Sequence, residues 1–209
     1  MFRVKVCGIT NERDALFASR FGADALGFIF YPKSPRKISP QKCEQILKKI
    51  SPFVLRIGVF VNEKKETVIK ILDRCRLQAL QFHGEEAPSY CNFFKKRALV
   101  IKGFRLKDKK VLNKMTKYEV DAYLIDAYDP HIVGGTGKNI DLKLAVEAGA
   151  LKRPLILSGG LNPENILFYL KKIKPQAVDA ASGIEIKPGL KDIKKMKTFI
   201  KRVKNYVAR

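Results

Sequence analysis

The strongest constraint on the fold is a regular alternation of short apolar runs with segments of helical period. Eight runs are candidate strands, at 2–7, 25–30, 54–61, 78–82, 98–104, 122–126, 154–158 and 177–182. Helix-start signals recur between them, at Asn11, Ser39-Pro40, Asn62-Glu63 and Asn162-Pro163. Strands and helices that alternate without long polar linkers are typical of a parallel sheet covered by helices.

Eight strand-helix units are the number that closes a barrel, so we predict an α/β fold, a (β/α)8 TIM barrel formed by residues 1–209 as a single domain. An open doubly wound sheet is the alternative, because periodicity does not exclude it. The hydrophobic content of 46% suffices for a sizeable core. The chain shows no signal peptide and no apolar run that would cross a bilayer, which predicts a cytoplasmic protein without a membrane partner.

Neither the cysteines nor the positive charge indicates a metal site, a disulfide framework or a nucleic-acid-binding surface. Cys43, Cys75 and Cys91 fall in helix-like patterns and are expected to be core residues, and their wide spacing does not favour zinc or disulfides. The formal charge of +22 permits binding to nucleic acid, but much of it comes from lysine doublets on helical faces, which favours a solvated surface. A basic nucleic-acid-binding domain remains an alternative that steep salt dependence of DNA binding would reveal.

In a barrel of this kind, chemistry is placed at the C-terminal ends of the strands. The polar residues that follow or end the predicted strands are Cys7, His83, Asp126, Ser158 and Ser182, and Asp179 lies inside the last strand. A carboxylic acid shielded from water keeps its proton to higher pH, whereas a thiol near a helix N-terminus and cations loses its proton more easily. This predicts that Asp126 acts as an acid and Cys7 as a base. The alternatives are that Asp126 only stabilises a turn or caps a helix, and that Cys7 is only a buried core residue at the end of its strand.

Three glycine-bearing turns late in the chain predict a phosphate site. They are Gly134-Gly135-Thr136-Gly137-Lys138, Ser158-Gly159-Gly160 and Ser182-Gly183, of which two follow strands 7 and 8. Glycine lets backbone N–H groups approach an anion, and barrels often bind phosphate at these two loops. The first turn does not fit the Walker pattern, which disfavours a nucleotide hydrolase.

The chain resembles the phosphoribosylanthranilate isomerase family of tryptophan biosynthesis. Eight ordered blocks carry the resemblance: KVCGIT (5–10), GADALGFIFYPKSPRKISP (22–40), GVFVNE (58–63), LQFHGEE (80–86), LIDA (124–127), GGTGK (134–138), LSGGLNPENI (157–166) and VDAASGIEIKPGLKD (178–192). The resemblance implies an Amadori rearrangement of N-(5-phosphoribosyl)anthranilate to 1-(2-carboxyphenylamino)-1-deoxy-D-ribulose 5-phosphate, without a metal or an organic cofactor. The predicted binding partner is then its substrate, a small phosphoribosyl compound. The oligomeric state, monomer or homodimer, stays open.

The resemblance also assigns roles to residues. The aspartate matching Asp126 protonates the ring oxygen of the sugar, and the cysteine matching Cys7 removes the proton from its second carbon. The arginine matching Arg36 holds the anthranilate carboxylate, a task suited to a guanidinium fork. Asp179 is expected to lie near the sugar. Gln81 and His83 are secondary candidates for substrate binding, and the alternative for His83 is a structural hydrogen bond.

Two other enzyme classes use the same barrel. A sugar isomerase of histidine biosynthesis performs the same Amadori chemistry, but its family carries an aspartate at the end of the first strand, where this chain has Cys7. Metal-dependent epimerases need histidine and acidic ligands at strand ends, and the chain has two histidines in all. The phosphoribosylanthranilate reaction therefore remains the favoured prediction.

Overall fold

The computed structural model describes residues 2–126 and 142–206, and its centre is a closed barrel of eight parallel strands. The strands are β1 (Arg3–Cys7), β2 (Ala25–Ile29), β3 (Leu55–Phe60), β4 (Ala79–Phe82), β5 (Leu99–Arg105), β6 (Ala122–Asp126), β7 (Leu155–Ser158) and β8 (Ala177–Ala180). Each strand pairs with the next, and β1 pairs with both β2 and β8. The predicted barrel is thus confirmed, and the open doubly wound sheet is wrong because the sheet has no free edge.

Helices follow the strands and cover the outside of the barrel. They are α1 (Glu12–Arg20), α2 (Pro40–Leu47), α3 (Lys65–Cys75), α4 (Pro88–Phe94), α5 (Lys110–Met115), α6 (Leu142–Gly149), α7 (Ile166–Ile173) and α8 (Ile193–Asn205). After β8 the chain forms a 3₁₀ turn (Ser182–Ile184) and an antiparallel hairpin of β9 (Glu185–Lys187) and β10 (Leu190–Lys191) before α8. Across the residues described, each helix is too short or too polar to span a membrane.

Two of the four predicted helix starts are confirmed, and two helices begin later than predicted. Asn11 caps α1 by accepting from the Asp14 N–H, and Ser39 caps α2 ahead of Pro40. The helix expected at Asn62 begins at Lys65, because Asn62 has a positive φ of 50° and its side chain accepts from the Glu85 N–H instead. An asparagine side chain that bonds the backbone of another loop does not cap its own helix.

The start of α7 is also delayed by an asparagine whose side chain binds loop backbone instead of capping the helix. Helix α7 begins at Ile166, whereas the sequence places the start at Asn162-Pro163. The Asn162 side chain accepts from the N–H groups of Glu164 and Asn165, and this holds the intervening residues in a turn. Asparagine favours such local turns over continued helix.

Buried side chains form two apolar cores on opposite sides of the sheet. The larger lies between strands and helices and contains Cys43, Cys75 and Cys91, whose predicted role as core residues is confirmed. The smaller fills the barrel and consists of Ala25, Ile57, Ala79, Ile101, Leu124 and Ile156. Side chains alternate along a strand, so the residues two positions farther on share the interior face. These include Gly27, Gln81, Gly103, Asp126 and Ser158, and the barrel interior therefore becomes polar toward its C-terminal end.

Candidate active site

Cys7 ends β1 with its thiol inside the barrel, where it is 6% exposed. Lys5 lies two residues earlier on the same face, and its ammonium donates a hydrogen bond to Asp179 Oδ2 at 2.7 Å. Gly27 on β2 leaves room for both side chains. A Cβ at this position would lie 2.7 Å from Cys7 Sγ and 3.1 Å from Lys5 Nζ. Only glycine at position 27 leaves this geometry undisturbed.

The protonation of Cys7 differs from the expectation drawn from its place next to a helix. Burial raises the pKa of the Cys7 thiol above its ordinary value; the Lys5 ammonium lowers it and the Asp179 carboxylate raises it, and the overall direction is upward. This direction is opposite to the prediction that the Cys7 thiol loses its proton easily. The reason is that desolvation of a buried thiolate outweighs the nearby cation.

Asp126 ends β6, three strands round the barrel from Cys7, and contacts His83. The distance from His83 Nε2 to Asp126 Oδ2 is 3.6 Å, and both side chains are partly exposed. Gln81 Nε2 lies 3.1 Å from His83 Nδ1. The other ring nitrogen of His83, Nε2, faces Asp126. His83 is thus oriented by Gln81 toward the carboxylate.

Arg36 lies in the loop between β2 and α2 and forms a bidentate ion pair. Its Nε lies 3.0 Å and its Nη2 2.7 Å from the Glu185 carboxylate on β9. Gly8, with φ of 75°, lets the arginine chain cross β1, because a Cβ there would lie 2.7 Å from Arg36 Cδ. The guanidinium is consequently held beside the end of β1, with its Nε and Nη2 edge turned toward Glu185.

Glu185 and Lys191 join the hairpin after β8 to the end of β1. The Lys191 ammonium is fully buried and donates to Cys7 O at 2.6 Å, to Ala181 O at 3.2 Å and to Glu185 Oε1 at 2.9 Å. Burial acts to raise the pKa of Glu185, but Arg36 and Lys191 outweigh it, and the pKa is lowered. Glu185 is therefore ionised at neutral pH and holds both cations in place.

The loops after β7 and β8 come together as the glycine pattern predicts. Gly159 and Gly160 adopt positive φ of 99° and 60°, and a Cβ at Gly160 would meet open space. Gly183 packs against the other loop, because a Cβ there would lie 2.1 Å from Leu161 O. Ser182 is exposed at the start of the 3₁₀ turn. Gly135, the remaining predicted phosphate residue, lies outside the described residues.

Comparison with known proteins identifies the family. The family described as N-(5'-phosphoribosyl)anthranilate (PRA) isomerase matches residues 4–202. The N-(5'-phosphoribosyl)anthranilate isomerase of Geotalea uraniireducens is 45% identical over 204 residues, which cover 98% of this chain and 99% of that protein. The chain belongs to this family. It is therefore a TIM-barrel isomerase of tryptophan biosynthesis, as its sequence blocks predict.

Solved structures of phosphoribosylanthranilate isomerases share the whole fold. The enzyme from Thermotoga maritima superposes with a TM-score of 0.89 at 43% identity, covering 99% of this chain and all of that one. A phosphoribosylanthranilate isomerase in complex with reduced 1-(o-carboxyphenylamino)-1-deoxyribulose 5-phosphate superposes with a TM-score of 0.87 at 41% identity, with coverage of 99% and 100%. The similarity thus covers nearly the whole length of the chain.

The structure adds Lys5, Glu185 and Lys191 to the site of this phosphoribosylanthranilate isomerase family member. None of the three follows from the strand-end rule, because Lys5 lies inside β1 and the other two lie in the hairpin after β8. A signal for Lys5 was nevertheless present. A strand of a parallel barrel is buried on both faces, so a charged residue within it needs a buried partner.

Proposed function

We propose that the chain catalyses the Amadori rearrangement of N-(5-phosphoribosyl)anthranilate by general acid-base catalysis, with Asp126 as the acid and Cys7 as the base. The observation that carries the proposal is the placement of these two side chains. Both end strands of the barrel on its interior face, at the C-terminal end, and they approach that space from different sides. A sugar bound there would be accessible to a carboxyl group and a thiol at once.

The proposed reaction has two proton transfers. Asp126 gives its proton to the furanose ring oxygen as the bond from that oxygen to the first carbon breaks, which leaves an iminium and an aspartate. The iminium withdraws electrons from the adjacent second carbon, and Cys7, as thiolate, removes the proton there. The resulting enolamine tautomerises to the ketone, so that no atom is gained or lost overall. Each transfer by a positioned group typically contributes about 10²- to 10⁴-fold to the rate.

Two buried acceptors support binding of the sugar inside the barrel. Asp179 Oδ1 and Gln81 Oε1 are buried and make no hydrogen bond within the part of the chain that the structure describes. Buried polar atoms in native proteins are generally paired, so such acceptors are suited to a ligand that brings donors. We infer that sugar hydroxyl groups donate to them. His83 would then act indirectly, by fixing the orientation of Asp126.

The phosphate would bind where the loops after β7 and β8 meet. Gly159 and Gly160 expose their backbone, and Ser182 and Gly183 begin the adjacent 3₁₀ turn. Backbone N–H groups in such turns bind phosphate oxygens, and Gly135 is proposed to contribute from the loop after β6. The formal charge of +22 would favour the approach of an anionic substrate.

The activity is tested by following the fluorescence of phosphoribosylanthranilate made in situ, with and without the protein. The protein is expected to accelerate the decay, and chromatography should show a product of unchanged mass. Hydrolysis of the substrate would instead release anthranilate. A decay rate that is the same with and without the protein would contradict the proposed function.

Arg36→Met is expected to raise KM by about 10- to 150-fold with a smaller change in kcat, because a charge-assisted hydrogen bond contributes about 1.5–3 kcal/mol. The physical reason is that the outer edge of the guanidinium would hold the carboxylate of the anthranilate ring. Steady-state kinetics check this, with Lys33→Met as the control, since Lys33 is exposed in the same loop. An unchanged KM in a variant with normal thermal stability would remove this role from Arg36.

We further propose that the enzyme is cytoplasmic and acts as a monomer or a homodimer, with nucleic acid having no primary role. The Thermotoga maritima phosphoribosylanthranilate isomerase is described as dimeric. Sedimentation equilibrium of the purified chain distinguishes the two states.

A further inference from the structure

An ion pair inside the barrel is not explained by the roles given so far. Lys5 and Asp179 are 3% and 5% exposed, and the distance from Lys5 Nζ to Asp179 Oδ2 is 2.7 Å. The two residues are directly paired across β1 and β8. Taking two charges out of water costs several kcal/mol per ion, and a buried pair is often no more stabilising than apolar side chains of similar size. Stability alone is therefore a weak reason for a lysine at position 5.

The position of Lys5 relative to Cys7 gives a stronger reason. Both project from the same face of β1, and the space beside them is kept open by Gly27, where a Cβ would lie within 3.1 Å of both Cys7 Sγ and Lys5 Nζ. The Lys5 ammonium has three hydrogens, and Asp179 accepts one of them, which leaves two for other acceptors on this face, where the Cys7 sulfur lies. Asp179 thus orients an ammonium toward the thiol.

We propose that Lys5 is a positioning residue that stabilises the thiolate form of Cys7 and so makes Cys7 competent as a base. This inference rests on the proposed function, in which Cys7 removes a proton from the substrate. Asp179 acts through Lys5, by holding its ammonium beside the sulfur. Lys5 itself does not touch the reacting atoms.

The charged groups near Cys7 shift the pKa of its thiol in different directions. Burial raises the pKa of Cys7 most, and the Lys5 ammonium opposes it; the Asp179 carboxylate raises this pKa and Lys191 lowers it. β2 contributes Gly27 and therefore no charge. Burial acts to lower the pKa of Lys5, but Asp179 and Cys7 outweigh it, and the pKa of Lys5 is raised.

Lys191 does not perform the same task. Its ammonium has three acceptors already, namely the carbonyl oxygens of Cys7 and Ala181 and the Glu185 carboxylate. An ammonium has three donors, so none is left for the Cys7 sulfur. Lys191 consequently contributes only its charge, which lowers the pKa of Cys7.

The test measures the ionisation of Cys7 directly, by its rate of alkylation with iodoacetamide as a function of pH, read from the mass of the Cys7 peptide. Lys5→Met is expected to move the midpoint upward by about one pH unit or more, which is about a tenfold loss of thiolate at neutral pH. The rising limb of kcat against pH should move by the same amount, with KM little changed. Lys5→Arg keeps the positive charge and should therefore have a midpoint close to that of the wild type. If Lys5 had only a structural role, keeping the charge would not bring the midpoint back.

Two further variants keep the test decisive. Lys5→Met leaves Asp179 as an unpaired buried carboxylate, so Lys5→Met/Asp179→Asn removes both charges and should also have a raised midpoint, by a smaller amount. Arg3→Met, on the same strand but exposed and paired with Asp24, should leave the midpoint unchanged. A wild-type midpoint in folded Lys5→Met or in the double variant would overturn the proposal.

The outcomes separate this proposal from the proposed function. If Cys7→Ala keeps its turnover, the role of Cys7 as base is wrong and the role of Lys5 falls with it. If Cys7→Ala is inactive and Lys5→Met titrates like the wild type, only the role of Lys5 is wrong.

Discussion

Cys7→Ala is expected to lower kcat by about 10²- to 10⁴-fold, the usual contribution of a positioned general base. Alanine has no group that accepts the proton from the second carbon of the sugar, and the iminium would have to lose it to water. Ring opening by Asp126 does not depend on the thiol, so the variant should still bind substrate. The measurement is the decay of phosphoribosylanthranilate fluorescence under saturating substrate.

The fold should survive this substitution. Lys191 donates to the backbone oxygen of Cys7, which alanine retains, and the ion pair of Lys5 with Asp179 does not need the sulfur. Loss of one buried sulfur is expected to cost about 1 kcal/mol of unfolding free energy. Cys91→Ala is the matched control, because Cys91 is also a buried thiol but lies on α4 in the outer core, and its turnover should be normal. Near-normal turnover of Cys7→Ala would refute the mechanism.

Asp126→Asn is expected to cause a loss of kcat of similar size, about 10²- to 10⁴-fold. The amide has the shape of the carboxyl group and can still contact His83 Nε2 through its oxygen, but it does not give up a proton to the ring oxygen at neutral pH. KM should change less than kcat, since the binding groups proposed for the phosphate and the anthranilate carboxylate remain. Thermal denaturation should show a folded protein.

A second aspartate next to the same strand provides the control. Asp121 precedes β6 at the opposite end of the barrel, and its carboxylate accepts from the Val100 N–H at 2.7 Å. Asp121→Asn should lower stability without lowering kcat, because it is remote from the strand ends that hold Cys7 and Asp126. If Asp121→Asn and Asp126→Asn lose turnover equally, the loss at Asp126 reflects general destabilisation and not removal of an acid.

Local pattern was sufficient to predict the scaffold. Each of the eight strands lies within two residues of its predicted bounds, since apolar runs flanked by turn and cap residues have few other ways to be buried. The strand-end positions of Cys7, His83 and Asp126 followed from the same pattern, because parallel strands in a barrel end on one side. The helix starts at Asn62 and Asn162 were misplaced, since an asparagine side chain has several backbone partners and tertiary contacts choose among them.

The ion pairs of the site and the protonation of Cys7 could not be predicted from the sequence. The partner of Lys5 is 174 positions away and the partner of Arg36 is 149 positions away, so both pairs exist only because β8 closes on β1 and the hairpin folds over the mouth. The same closure buries Cys7 and raises its pKa, opposite to the direction expected from its neighbours in the chain.

The order of residues thus determined the barrel and the identity of the side chains at its catalytic end, because both depend on periodicity over short distances. The tertiary structure alone decided which charges meet and how far water is excluded. Ionisation depends on those two quantities, and neither is a property of a local segment.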